Sequence, residues 1–314
     1  MEARTVDSVL QDISRLWPVE SGAEVTLEAN PSSVEASKFA DFRAAGVNRL
    51  SLGVQSLRDE VLRFFGRAHN AVEAQEAIRL ADRHFPRFSF DLIYGYAGHD
   101  PLTWQKDLRE ALALARGHIS LYQLTVEPHT QFSVRDKRGE VLVSSEDDAA
   151  RMFEDTQVLT EKAGLPAYEI SNHALPGKES RHNMTYWRYE DYIGIGPGAH
   201  GRYRDEGTRH AVENVRAPDL WLQKVDRQGQ GILSNVVLDV DTAMREALMM
   251  GLRTAEGIDI KLWDDKFKAP LVAFLARTKI ERLKEEGLVV FDTKGFRATA
   301  QGRQKLNAVL GYLL

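Results

Sequence analysis

The stretch Arg87-Phe88-Ser89-Phe90-Asp91-Leu92-Ile93-Tyr94-Gly95 decides the fold, because its side chains sort by parity. Successive residues of a strand point to opposite faces, so Phe88, Phe90 and Leu92 share one face while Ser89, Asp91 and Ile93 share the other. The run upstream, NRLSLGVQS (48–56), sorts the same way, with Leu50, Leu52 and Val54 against Ser51, Gly53 and Gln55. So does EVTLEAN (24–30), where Val25, Leu27 and Ala29 oppose Glu24, Thr26, Glu28 and Asn30. Parallel strands covered on both sides read apolar throughout. Three successive strands with one small or polar face instead predict helices packed outside a polar concave lumen, a parallel (β/α) barrel or part of one.

Working outward, a fourth strand-like run, HISLYQLTVE (118–127), comes next, and helical patterns separate all four. Alternation of this kind is the signature of an α/β fold with helical crossovers. Start signals flank the helices, as in Asn30-Pro31-Ser32-Ser33 and Gly98-His99-Asp100-Pro101, and Gly46 and Gly117 are placed to stop them. Glu28, Gln55, Asp91, Gln123 and Glu127 fall toward strand C-terminal ends, where barrel sites are built. From about residue 145 the pattern loosens into a long helix, an extended PAYEIS segment and a loop-rich stretch, 172–203, dense in Gly, His and aromatic residues. The chain then returns to helices, with LVVF and GFRAT as short strands in a winged-helix-like module. These readings predict a domain over 1–205 and a smaller α+β domain over 206–314.

Composition narrows function. The balance of 41 basic and 46 acidic residues gives a net charge of −5, and residues 276–314 carry no dense basic patch, so a nucleic-acid partner is disfavoured. No apolar run is long enough for a transmembrane segment and the opening MEARTVD is no secretory signal, which predicts a cytoplasmic protein. Cysteine is absent altogether, which removes thiolate zinc sites, cysteine nucleophiles and cysteine-held iron–sulfur clusters from this chain.

The densest local signal is Arg181-His182-Asn183-Met184-Thr185-Tyr186-Trp187, followed by Tyr192-Ile193-Gly194-Ile195-Gly196-Pro197-Gly198-Ala199-His200-Gly201. An imidazole is a strong ligand for heme iron, and Tyr186 and Trp187 supply flat surface for a porphyrin. Taken in order with Glu28-Ala29-Asn30-Pro31, Gly53-Val54-Gln55-Ser56, Gly66-Arg67-Ala68-His69, Asp91-Leu92-Ile93-Tyr94-Gly95 and Tyr122 to Pro128, it resembles the HemW heme chaperones of the radical SAM superfamily. These are relatives of the oxygen-independent coproporphyrinogen III oxidases, HemN.

The resemblance implies a radical SAM partial barrel with a HemN-type C-terminal domain, heme as ligand and heme-accepting proteins, respiratory ones at the membrane included, as partners. A homodimer is among its implications. It assigns iron ligation to His182, with Tyr186, Trp187 and, as second choice, His200 around the heme. It assigns S-adenosylmethionine to Glu28, Gln55, Arg67 and Asp91, whose carboxylates and guanidinium suit ribose hydroxyls, an ammonium and a carboxylate. Where the family shows a Leu-Pro-Gly-Gln turn, this chain has Tyr96-Ala97-Gly98-His99-Asp100. The family's CxxxCxxC segment, which holds a 4Fe-4S cluster, has no counterpart here, so the expectation is an N-terminally truncated barrel with EVTLEAN as an open, aggregation-prone edge. Radical catalysis is not expected of such a chain. The alternatives are coproporphyrinogen III oxidation, against which the HNxxYW element speaks, and an unrelated barrel enzyme using Glu28, Asp91 or Glu127 in acid–base chemistry.

Overall fold

The computed structural model describes residues 1–314, the side chain of residue 34 excepted, and the chain forms two compact units, Met1–Glu179 and Ser180–Leu314. The division precedes the boundary drawn from sequence after residue 205. A strand that begins at His200 pairs with residues 208–213, so the segment after 180 coheres with the C-terminal part of the chain.

The first unit opens with α1 (Ala3–Leu16), β1 (Thr26–Ala29), α2 (Ser33–Ala36), α3 (Phe39–Ala44) and β2 (Arg49–Gln55). Next come α4 (Asp59–Phe64), α5 (Ala71–His84), β3 (Arg87–Tyr94), α6 (Pro101–Leu114) and β4 (His118–Gln123). It ends with α7 (Gln131–Asp136), α8 (Glu146–Lys162) and β5 (Asn172–Ala174). The strands form one sheet in the order β1-β2-β3-β4-β5, parallel up to β4, with β5 antiparallel on the far edge.

The helices start where their capping residues dictate. Asn70 and Glu73 make a reciprocal capping box on α5, and Asp100 accepts from the backbone N–H of Leu102 and Thr103 ahead of Pro101 in α6. The apolar faces behave as their parity predicts: Leu50, Leu52, Val54, Phe88, Phe90 and Leu92 are buried against Ala74, Ala77 and Ile78 of α5 and Trp104 and Leu108 of α6. Trp104 closes this core. Its ring stacks on Tyr94 at 4.7 Å, and its Nε1 donates to Thr156 Oγ1 of α8 at 2.8 Å. The other face of the sheet carries the polar set, with Arg49, Ser89 and Ser120 all buried.

The second unit runs α9 (Arg181–Trp187), β6 (His200–Asp205), β7 (Thr208–Asn214), α10 (Pro218–Gln228), β8 (Ile232–Val237) and α11 (Val240–Gly251). After these come α12 (Ile260–Phe267), α13 (Leu271–Phe274), α14 (Arg277–Glu285), β9 (Val289–Asp292), β10 (Gly295–Ala298), α15 (Ala300–Gln304) and α16 (Leu306–Leu313). The expected LVVF and GFRAT strands are β9 and β10, an antiparallel pair. The stretch 172–203, read as loop-rich, holds more order than that reading allowed: α9 forms within it, and β6 begins in it and joins β7 and β8 beyond it in a three-stranded antiparallel sheet. The β6–β7 hairpin turns on Glu206 and Gly207, both at positive φ (46° and 84°), the requirement of a type I′ turn.

A charged cluster ties the segment after α9 to this unit. Tyr189, itself at φ 54°, donates its hydroxyl to Glu246 of α11 at 2.7 Å, Arg202 pairs with the same carboxylate at 3.0 Å, and Arg209 lies 4.2 Å over the Tyr189 ring. Burial opposes ionisation of Glu246, but the Arg202 and Tyr189 hydrogen bonds outweigh it and hold the carboxyl below its ordinary value.

Both the core and this cluster can be tested by unfolding. Trp104→Ala empties a fully buried site and is expected to cost about 4 kcal/mol in urea unfolding; a cost under 1 kcal/mol would contradict the packing described. Glu246→Ala is expected to cost about 2 kcal/mol at pH 7. Because the folded pKa is depressed, that contribution is present above the unfolded carboxylate pKa and is lost as pH falls through the folded one, so variant and parent should converge in acid.

Candidate functional site

In the first unit, parity and register bring the predicted strand-end residues onto the lumen side. Glu28 stands opposite Ser51, Ser51 opposite Ser89, and Asp91 opposite Ser120. Gln55 ends β2 where the pairing with β3 slips between Leu52 and Gln55, and it takes a left-handed backbone at φ 65°, an uncommon conformation for a residue with a Cβ. Gly53 makes room for its side chain, since a Cβ there would sit 3.2 Å from Gln55 Nε2.

Gln55 is buried, Glu28 and Arg67 are exposed, and the fields of Glu28 and Arg67 both act on Asp91. Desolvation pushes the Asp91 carboxyl up to about 6; Glu28 adds to the rise, while Ser120, Arg49 and Arg67 pull against it. Asp91 Oδ1 and Gln55 Oε1 are buried acceptors with no hydrogen-bond partner among the described residues. Such acceptors cost free energy unless a ligand brings donors to them. The ribose hydroxyls and ammonium of S-adenosylmethionine are donors of that kind, so the donor set fits. A 4Fe-4S cluster does not fit this chain, which has no thiolate to hold iron.

The Tyr96–Asp100 departure packs as a tight turn beside this site. His99 stacks on Tyr96 at 4.1 Å, its Nδ1 accepts from the Gly95 N–H at 3.3 Å, and burial lowers its pKa. Gln123 and Glu127, the other strand-end candidates, are both exposed.

In the second unit α9 carries the HNxxYW residues on a helix capped by Ser180, whose Oγ accepts from the Asn183 N–H. His182 and Tyr186, four residues apart, meet on one face: their rings pack edge to face at 4.7 Å, and the Tyr186 hydroxyl lies 2.9 Å from His182 Nε2. Tyr192, quoted in the sequence without a role, extends the cluster with its ring edge to face 4.5 Å from Tyr186. Ile193 and Ile195 come just after it in the chain at 67% and 71% exposure, large for apolar side chains.

Trp187 is not part of this face. It lies under the Arg253 guanidinium at 4.8 Å and lines a cleft of about 620 Å³ together with Tyr189, Trp263, Lys266 and Phe267. Among the described residues no histidine lines that cleft. Lys266 closes the C-terminal end of α9, donating to the carbonyls of Arg188 and Tyr189 at 2.8 Å each, and burial, aided by Arg209 and Arg204, lowers its pKa to about 8. His200 opens β6 with an exposed side chain. Its carbonyl passes so close to Gly194 that a Cβ there would clash with it.

The comparisons agree with this architecture. Residues 4–111 match the Radical SAM superfamily, and residues 238–304 match the HemN C-terminal domain. The Escherichia coli (strain K12) "Heme chaperone HemW" is 43% identical over 321 residues, covering 98% of this chain and 79% of that protein. The Bos taurus "Radical S-adenosyl methionine domain-containing protein 1, mitochondrial" is 38% identical over 318 residues, covering 99% and 72%. The solved structure of Escherichia coli coproporphyrinogen III oxidase (HemN), a radical SAM enzyme, superposes with a TM-score of 0.81 at 21% identity, covering 99% of this chain and 74% of that one, which establishes a shared fold. An α/β unit of this topology, a HemN-type C-terminal domain and such identity along nearly the whole chain mean that the protein belongs to the HemW family of radical SAM proteins.

Proposed function

We propose that this chain binds heme through His182 on the outer face of α9 and passes it to acceptor proteins. One observation carries the reading: the HNxxYW helix presents an exposed imidazole packed on the Tyr186 ring, which packs in turn on Tyr192, with exposed Ile193 and Ile195 next in the chain. An imidazole supplies the iron ligand, while the rings and isoleucines supply apolar surface for the macrocycle. The likeness to a protein named a heme chaperone supports the same reading. Trp187, which packs under Arg253 and lines the cleft, is assigned no part in ligating the iron, and His200 keeps its place as second choice. The acceptors lie among heme proteins, respiratory ones included. Among the described residues no helix is long and apolar enough to cross a membrane.

S-adenosylmethionine is the second ligand we propose, with Asp91 and Gln55 accepting from its hydroxyl and ammonium donors and Glu28 and Arg67 at the open side. When bound to a cluster this cofactor supplies radical chemistry. This chain's own residues contribute binding and orientation only.

Titrating purified protein with ferric heme and following the Soret band tests the first proposal. His182→Ala should weaken binding at least tenfold and His200→Ala should stay within about twofold of the parent; equal binding by His182→Ala would overturn the reading. Equilibrium dialysis with labelled S-adenosylmethionine tests the second, where Asp91→Asn should weaken binding. With a folded pKa raised to about 6, Asp91 destabilises the folded state increasingly as pH rises from the unfolded carboxylate value toward 6. Asp91→Asn should therefore raise stability at pH 7, by on the order of 1–3 kcal/mol, while reducing binding. A variant less stable at pH 7 than the parent would show that the carboxylate has a structural partner.

A further inference from the structure

We propose that the Tyr186 hydroxyl competes with iron for Nε2 of His182, acting as a positioning residue that holds the heme-free state and sets how fast heme is captured. The inference rests on His182 being the iron ligand and specifies how that ligand is made available.

The two ring nitrogens of a histidine are not equivalent as ligands on a helix. Nδ1 lies next to the residue's own Cβ and backbone, where a planar macrocycle centred on it would meet the helix, whereas Nε2 is the outermost atom of the ring. Nε2 is therefore the nitrogen through which His182 can reach the iron of a porphyrin, and it is the nitrogen that Tyr186 engages at 2.9 Å.

Either direction of that hydrogen bond opposes coordination. If the phenol donates, the Nε2 lone pair is already used. If Nε2–H donates to the phenolic oxygen, the proton must first move to Nδ1, because a neutral imidazole binds metal through its unprotonated nitrogen. Coordination exchanges an O–H···N or N–H···O contact for an iron–nitrogen bond, and the tyrosine proton stays on its oxygen or returns to it.

The hydroxyl is also held in place. Its ring packs edge to face against Tyr192 at 4.5 Å, and Tyr192 is fixed by an antiparallel bridge to Arg202, whose N–H donates to the Tyr192 carbonyl at 2.9 Å. Arg202 is in turn paired with Glu246 at 3.0 Å. The contact between His182 and Tyr186 thus belongs to a packed chain of groups, which lowers the entropy cost of making it.

A binding-competent state populated only in part lowers apparent affinity and capture rate by its fraction, and leaves release untouched if the blocking contact exists only without ligand. A net neutral hydrogen bond corresponds to a factor of about two to ten.

Tyr186→Phe keeps the ring and its packing and removes the hydroxyl alone. Stopped-flow mixing with ferric heme, and release measured into excess apomyoglobin, separate the two rates for parent, Tyr186→Phe and His182→Ala. Tyr186→Phe is expected to speed association and tighten affinity by about two- to tenfold, with release rate and Soret position unchanged. Unchanged association, or faster release with weaker affinity, would overturn the proposal and make Tyr186 a packing residue or a heme contact. If His182→Ala captured heme as the parent does, the assignment of the ligand would fail and the competition with it. If His182→Ala lost heme while Tyr186→Phe matched the parent, only the competition would fail.

Discussion

The parallel sheet depends on a buried guanidinium. Arg49, 4% exposed at the start of β2, donates to Ser89 Oγ of β3 at 3.0 Å, and Ser89 donates onward to Ser51 at 3.1 Å. Burial lowers the Arg49 pKa and the Glu24 carboxylate offsets part of that, while Glu24 is itself paired with Arg87 at 2.8 Å. Buried charges of this kind add little net stability, since desolvation consumes most of the attraction. What they fix here is register. A slip of one residue along β2 would carry Arg49 into the layer of Leu50, Phe88 and Phe90 and expose the leucines to the lumen. With register set at the base of the strands, Gln55 and Asp91 arrive toward the far ends with acceptors that no protein donor meets among the described residues.

Much of this was legible in residue parity. The alternation in 24–30, 48–56 and 87–95 marks both the helix-covered face and the polar one, and the start signals at Asn30–Ser33 and Gly98–Pro101 fall where α2 and α6 begin. The three-stranded sheet of the second unit was not legible by the same rule. In His200 to Asp205 and Thr208 to Asn214 the apolar side chains are Tyr203, Ala211 and Val212, set among polar and charged residues, so neither run presents a continuous apolar face to detect. These strands are specified by their hairpin and by ion pairs such as Arg202 with Glu246, a residue more than forty positions away in sequence. The available signal was Glu206-Gly207, a turn dipeptide at the centre of the hairpin.

The HNxxYW element shows a different limit. HNxxYW read as one string puts a histidine and two aromatics together, but a helix advances about 100° per residue, so a residue five positions on lies about 140° around from the first. Tyr186 falls beside His182 and Trp187 does not. The helix therefore divides the motif between an outer face that carries the imidazole and an inner one that lines the 620 Å³ cleft. Tyr192 stands in the quoted stretch without a role because its place beside Tyr186 comes from the bridge to Arg202, a tertiary contact with no local pattern.

This division bears on what kind of heme protein the reading describes. Sites that retain a ligand enclose most of its surface in a concave pocket, typically with a few converging polar groups. The cleft of the second unit has the size for that but no histidine, and the histidine has the chemistry but stands on an exposed face. On the proposed reading, a heme ligated at His182 would be held by one iron–nitrogen bond and a limited apolar contact. Affinity then rests on coordination, and a histidine from an acceptor protein can approach the iron from the open side and exchange ligands without any pocket having to open. On the reading proposed here, the exposure of His182 leaves the iron open to such an exchange, and the hydroxyl beside it adds a bias toward the empty state.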